Sequence, residues 1–245
     1  MDPVKPYSAE GSKKEQVAHM FNAISKRYDV LNRTLSLGID VLWRRRTVSA
    51  VRKAGAEDIL DVATGTADLA IALHRGIPGS RVQGVDISAG MLDVGREKIT
   101  RRGLDPNIPL HLGDGESLPF ENASFDAVTV AFGVRNFEHL EQGLRDMKRV
   151  LRHGGSLAVL EFSQPESFPF RPLYFFYFKH ILPTIGKWVS KDSSAYTYLP
   201  ASVEAFPYGD AFAQKLKEAG FTQVSIRPLT FGVASLYVAH TESAN

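Results

Sequence analysis

The 245-residue sequence contains no cysteine. That absence excludes disulfides, thiolate nucleophiles and Cys-ligated zinc, and it suits a reducing, cytoplasmic setting. Charge of one sign is scarce as well: 29 Lys and Arg against 27 Asp and Glu leave a net charge of +2, without a long single-sign block. A nucleic-acid partner therefore has no electrostatic support. No stretch offers the roughly 20 uninterrupted apolar residues that a spanning helix needs. The most apolar segment, 168–189, is broken by Arg171, Lys179, His180 and Lys187 and holds Pro172 and Pro183. It reads as buried or interfacial. Residues 1–12 read as a loose tail without the apolar core of a signal peptide. No His, Asp and Glu spacing matches a metal site, so no metal is expected.

What is present is a hydrophobic fraction of 44%, enough for a real core in a single domain. Apolar or aromatic side chains at Val17, Phe21, Ile24 and Tyr28 keep helical spacing, and 35–46 reads as a second helical region. The segment 13–50 is thus expected to form an amino-terminal helical cap. From Asp58 the rhythm changes. Strands are expected at 59–63, 81–85, 108–112, 125–132 and 156–162, with helices at 69–75, from Ser88, and at 140–151. A turn is expected at His153-Gly154-Gly155. Strands alternating with helices imply right-handed crossovers and a parallel sheet. After Ser163 the alternation stops. A helix at 211–219 and two strands at 224–229 and 233–241 close the chain. The pattern predicts an α/β, Rossmann-like, mostly parallel seven-stranded sheet with helices on both faces and an aromatic helical insertion at 163–207.

The first strand leads into Asp61-Val62-Ala63-Thr64-Gly65-Thr66-Ala67-Asp68. A Gly-containing turn between strand and helix lets backbone approach a ligand. A dinucleotide site would carry three spaced glycines for a pyrophosphate, whereas this turn has one glycine between two acids. Acids suit a ligand bearing an ammonium and a sulfonium, which favours S-adenosylmethionine over NAD and leaves a nicotinamide dehydrogenase as the alternative from another class. Asp86 ends the second strand about 20 residues after the turn, where an acid can accept from ribose hydroxyls. Asp114 and Gly115 follow the third strand, where an acid and a backbone N–H can meet an adenine.

With these residues in view, the chain resembles the menaquinone and ubiquinone biosynthesis C-methyltransferases, a class I S-adenosylmethionine-dependent family. The resemblance runs from about Val17 to Val238. It includes Leu160-Glu161-Phe162-Ser163 and Tyr196-Thr197-Tyr198-Leu199, and its more specific parts are Tyr28-Asp29-Val30-Leu31-Asn32 and Phe132-Gly133-Val134-Arg135-Asn136. It implies cofactor contacts from Thr66, Asp86, Asp114 and Gly115. It also implies methylation of a ring carbon on a reduced polyprenyl quinone, with demethylmenaquinol preferred and a polyprenyl benzoquinol, or another small aromatic acceptor, as alternatives. Ala67 stands where members often have Gly, and Ala131 where many have Ser.

A quinol carbon becomes nucleophilic when the adjacent hydroxyl ionises, and a phenol of pKa about 10 is only about one part in a thousand ionised at pH 7. A guanidinium raises that fraction. Arg135, just past the fourth strand, is the preferred activating group, with a structural salt bridge as the lesser alternative. Asn136 could orient a hydroxyl and Tyr28 could cover the site. The insertion, with Phe168, Phe170, Tyr174, Phe178 and Trp188, could line a groove for a prenyl tail or touch a lipid surface, and His180 is a candidate base there. Arg44-Arg45-Arg46 could face anionic headgroups or simply be solvated. Peripheral attachment at the inner face of a membrane and a homodimer both stay open.

Overall fold

A computed structural model of the chain describes residues 4–7, 10–104, 107–177 and 194–243. Strands β1 (Asp58–Val62), β2 (Arg81–Asp86), β3 (Leu110–Leu112), β4 (Phe125–Ala131) and β5 (Leu151–Phe162) pair in parallel. β7 (Ala234–His240) lies antiparallel between β5 and β6 (Thr222–Leu229). The order across the seven-stranded sheet is β3-β2-β1-β4-β5-β7-β6. It reverses between β1 and β4, so a crevice opens beyond their carboxyl ends, where ligands of open α/β sheets bind.

Side chains alternate across each strand, and both faces are apolar, as a sheet covered on both sides requires. Leu60, Val62, Val128, Val130, Leu157 and Val159 pack on one face with Leu144 and Met147 of α5 (Leu140–Val150) and Phe212 and Leu216 of α8 (Asp210–Glu218). Ile59, Ala127, Ala158 and Leu160 pack on the other with Leu69 and Leu73 of α3 (Asp68–Gly76) and Ile99 of α4 (Ala89–Arg101). Each large aliphatic side chain buried this way contributes about 1.5–3 kcal/mol.

The amino-terminal helices form over the site end of the sheet. α1 (Lys13–Leu35) starts at a reciprocal capping box between Ser12 and Glu15. It runs further than the sequence rhythm suggests and buries Val17, Met20, Ile24 and Leu31. It stops because Leu37 and Gly38 adopt positive φ of 52° and 78°. α2 (Asp40–Lys53) therefore begins five residues later than the expected 35. Trp43 anchors it, 4% exposed, with Nε1 donating to Thr230 Oγ1 at 2.8 Å.

Two further expectations change. The turn at 153–155 is an irregularity inside β5, whose pairing with β4 shifts register between Phe125 and Ala127. The strand at 108–112 shortens to Leu110–Leu112, although Ile108 is buried. Within 163–207 the structure has α6 (Phe170–Phe176) and α7 (Ser194–Ala205). Phe178, His180 and Trp188 lie outside the described residues.

Candidate active site

The turn after β1 is held from below. Asp61 is 1% exposed, and its two oxygens accept from the hydroxyls of Thr64 and Thr129, both at 2.7 Å. Burial lifts its carboxyl to about 6. Ala63, Gly65 and Ala67 take positive φ of 51°, 55° and 63°, so the turn coils tightly. For Ala67, where members of the resembled family often have Gly, this left-handed conformation costs on the order of 1 kcal/mol. Asp86 ties the turn to β2: Gly65 N and Ser88 N each donate to its carboxylate at 2.8 Å. Burial also raises Asp86 to about 6, with the backbone donors opposing that rise.

Asp86 faces a groove of about 70 Å³ that Gly65, Asp114, Gly115 and Asn136 also line. Asp114 forms an ion pair with Lys14 of α1 and accepts from Glu116 N at 2.9 Å. Gly115 is required there by space, since a Cβ would come within 2.7 Å of Phe137 Cζ and 3.0 Å of Val62 Cγ1. α1 is fastened beside this groove through Lys13 Nζ, which donates to the carbonyls of Arg135 at 3.0 Å and Phe137 at 2.8 Å. Burial, reinforced by the Arg135 charge, lowers Lys13 to about 8.

Thr66 and Asp68 are placed differently from the other expected cofactor residues. Thr66 is 2% exposed and donates to Asp29 Oδ1, while accepting from Lys98 Nζ at 3.0 Å. Lys98 also pairs with Asp29 at 2.6 Å and Asp68 at 2.8 Å, and Arg44 reaches Asp68 at 3.3 Å. This network joins α1 and α2 to α3 and α4. It also takes Arg44 out of the basic run read as headgroup-facing, whereas Arg45 and Arg46 are exposed. Thr66, Asp68 and Asp61 thus hold the turn, and Gly65, Asp86, Asp114 and Gly115 form the groove wall.

Beyond the groove lies a larger, mostly apolar cavity of about 520 Å³ between α1, α2, α6 and α7. Phe21, Tyr28 and Phe132 line both spaces. Phe132 sits at the end of β4 with φ of 57°, a conformation an aromatic residue holds only at a cost of about 1–3 kcal/mol. Arg135, on the 3₁₀ turn Val134–Asn136, lines the cavity, whereas Asn136 lines the groove. The two residues expected to act together face different spaces.

Arg135 Nη1 pairs with Glu161 Oε1 at 3.0 Å and donates to the Phe132 carbonyl. Their side chains are 8% and 0% exposed. Burial raises the Glu161 carboxyl against the pull of Arg135. The guanidinium also lies over the Phe162 ring, 5.4 Å from its centroid. Its Nε is buried without a hydrogen-bond partner among the described residues, as is Asn136 Oδ1. Tyr28 packs edge-on against Phe21 at 5.9 Å, and burial raises its phenol.

A parallel sheet with an antiparallel terminal pair, a tight turn after β1 and carboxylates beyond β2 and β3 define a class I methyltransferase fold. An Aquifex aeolicus SAM-dependent methyltransferase structure superposes with a TM-score of 0.55 over 75% of this chain and 81% of that one, at 18% identity. The demethylmenaquinone methyltransferase of Bacteroides fragilis is 47% identical over 97% of both chains. The ubiquinone/menaquinone biosynthesis C-methyltransferase of Geobacter sulfurreducens is 43% identical over 92% of this chain and 88% of its own. The model of the ubiE/COQ5 methyltransferase family matches residues 9–241. The chain belongs to that family and is a methyltransferase, which removes the dehydrogenase alternative.

Sequence reasoning did not give Glu161 a role, or connect Lys98, Asp29 and Lys14 to the site. Glu161 left a signal: it is the only charged residue in the run Leu157-Ala158-Val159-Leu160-Glu161-Phe162, and a charge inside a buried strand needs a partner.

Proposed function

We propose that this methyltransferase uses S-adenosylmethionine to methylate a ring carbon of a reduced polyprenyl quinone, with demethylmenaquinol as the preferred acceptor. The observation that carries the reading is the pair of adjoining spaces. A small groove lined by three acidic residues, Asp86, Asp114 and Glu116, at the sheet's carboxyl edge meets a mostly apolar cavity of about 520 Å³ at Phe21, Tyr28 and Phe132. The names of the two relatives supply the quinone class, and the first favours the naphthoquinol.

The groove residues fit the methyl donor chemically. Asp86 presents a carboxylate to vicinal hydroxyls, and the space that a Cβ on Gly115 would fill gives a flat ring access to backbone. Lys14 leaves Asp114 for an adenine amino group to take its place. When bound, S-adenosylmethionine supplies an electrophilic methyl on a positively charged sulfur. Phe132 and Tyr28 separate the two spaces and exclude water between them. Arg135 faces the quinol head, where its guanidinium favours the phenolate form. Glu161 offsets part of that charge and fixes the guanidinium in one orientation. Asn136, on the groove side, orients the donor's end of the path.

The cavity rim carries exposed apolar side chains: Leu173 is 64% exposed, Phe176 56% and Phe231 64%. Among the described residues no helix is long and apolar enough to cross a membrane. We read this rim as the contact with the lipid surface that holds the prenyl substrate, consistent with peripheral attachment at the inner face. Incubation with methyl-labelled S-adenosylmethionine and a short-chain demethylmenaquinol tests the reaction. Label on the naphthoquinol ring is the expected result. Label only on a benzoquinol moves the enzyme to the ubiquinone branch, and label on neither overturns the reading.

A further inference from the structure

The large cavity is mostly apolar, so a buried polar atom left without a partner in its wall needs a reason. Tyr198 on α7 is one such residue. It is 4% exposed and packs with Val17, Met20, Ile24 and Leu31 beneath α1. Its hydroxyl is buried and has no hydrogen-bond partner among the described residues, yet the side chain lines the cavity. A buried hydroxyl without a partner costs about 1–3 kcal/mol, and phenylalanine would fill the same volume without that cost. Burial pushes the phenol up to about 12, so it stays protonated and able to donate. Tyr198 and Arg135 line the same cavity, and Arg135 and its partner Glu161 both act on the phenol electrostatically.

Arg135 Nε–H is the second unpaired donor there. The two donors come from different elements, α7 and the 3₁₀ turn after β4. Neither bonds the other, although the Tyr198 hydroxyl could accept from the guanidinium. One oxygen with two free lone pairs, carried on an aromatic ring that fits an apolar cavity, satisfies both at once.

We propose that Tyr198 is a further catalytic residue, donating a hydrogen bond to the acceptor's ring oxygen alongside Arg135 and so stabilising the phenolate that activates the ring carbon. This rests on the quinol reading of the cavity. Hydrogen bonds to charged groups are stronger than those to neutral ones, so the bond strengthens as the oxygen ionises. The donor is preorganised by the packing around its ring and needs no rearrangement when charge develops. The proton stays on Tyr198, and the quinol proton leaves to solvent or to a separate base.

The test is Tyr198→Phe, which removes one oxygen and preserves the ring. The primary readout is independent of turnover: the ionisation of bound 4-methoxy-1-naphthol, a single-hydroxyl mimic, followed by absorbance. The pKa of the bound probe is expected to rise by about one unit in the variant, a tenfold shift in ionisation. The kcat/KM for demethylmenaquinol should fall about tenfold and its acidic limb should move to higher pH, with cofactor affinity unchanged. The unliganded variant should unfold at the same or a higher temperature. A probe pKa and pH profile identical to the wild type overturn the proposal, whatever the melting temperature. If the wild type methylates no quinol but the probe shift is present, the donor role stands and the substrate reading fails.

Discussion

The groove at the ends of β1 to β3 and the cavity under α1 and α7 handle charge in opposite ways. In the groove, Asp86 is held by two backbone N–H groups, and Asp114 pairs with the partly exposed Lys14. In the cavity, a fully buried pair, Arg135 and Glu161, sits in an apolar wall. The groove can exchange its partners with a polar ligand at small cost, because water and backbone share the load. The Arg135–Glu161 pair cannot, because its two charges depend on each other. The comparison teaches that the groove's acids can trade a partner for a polar ligand, whereas the buried pair beside the cavity keeps its partner whether or not the cavity is filled.

The largest effect that would break this contrast is on stability. Glu161→Gln leaves the Arg135 guanidinium buried without its carboxylate, which should cost about 3–5 kcal/mol. At this chain length the melting temperature should fall by on the order of 10 °C. Asp114→Asn removes a pair whose side chains are 41% and 23% exposed, and should cost less than about 1 kcal/mol. Equal losses in the two variants, measured by calorimetry, would erase the distinction.

Next comes turnover. Arg135→Lys keeps a cation for Glu161 but loses the planar fork and the Nε donor. A fall in kcat of about 100-fold is expected, or about 2.7 kcal/mol in the barrier, with the dissociation constant for S-adenosylmethionine within about twofold of the wild type. Unchanged turnover would leave Arg135 a purely structural residue.

A smaller effect follows pH. Asp86 has its carboxyl raised to about 6, against an ordinary value of 3.8. Cofactor hydroxyls donate to the ionised form, so the dissociation constant should rise about tenfold per unit as pH falls from 6 towards 4. The folding side has the opposite sign. For a carboxyl raised by folding, the stabilising contribution is complete below about 4 and is lost as pH rises through 6. Asp61, also raised to about 6, acts in the same direction. Mild acid should therefore steady the unliganded protein while weakening its cofactor. Asp86→Asn should flatten the binding profile, as titration calorimetry across pH 4.5–7.5 would show.

The parts of this site legible in the sequence were those set by local order along the chain. Strand, turn and acid follow one another within a few residues at Asp86 and Asp114, so their positions at the sheet edge could be read directly. The side of Arg135 could not, because Arg135 and Asn136 are neighbours in sequence yet a 3₁₀ turn sends one into each space. Nor could the partners of Thr66 and Asp68: Lys98 lies 32 and 30 residues away and Asp29 lies 37 from Thr66, brought near by the packing of α1 on α4. The sheet followed from alternation, whereas the 153–155 irregularity did not, since two glycines read as a turn whether or not a neighbouring strand keeps pairing.

Thr66 provides the finest test of the comparison. If it belongs to the framework under the groove, Thr66→Val should cost only its two hydrogen bonds, because valine keeps the shape and Lys98 keeps Asp29 and Asp68. The expected loss is about 1 kcal/mol, or a few degrees in melting temperature, with cofactor affinity within about twofold of the wild type. The opposite outcome is equally readable. An affinity loss of about tenfold at unchanged stability would mean that the hydroxyl turns from Asp29 to the cofactor on binding. The groove would then extend one residue further along the turn, to the contact the family resemblance implies.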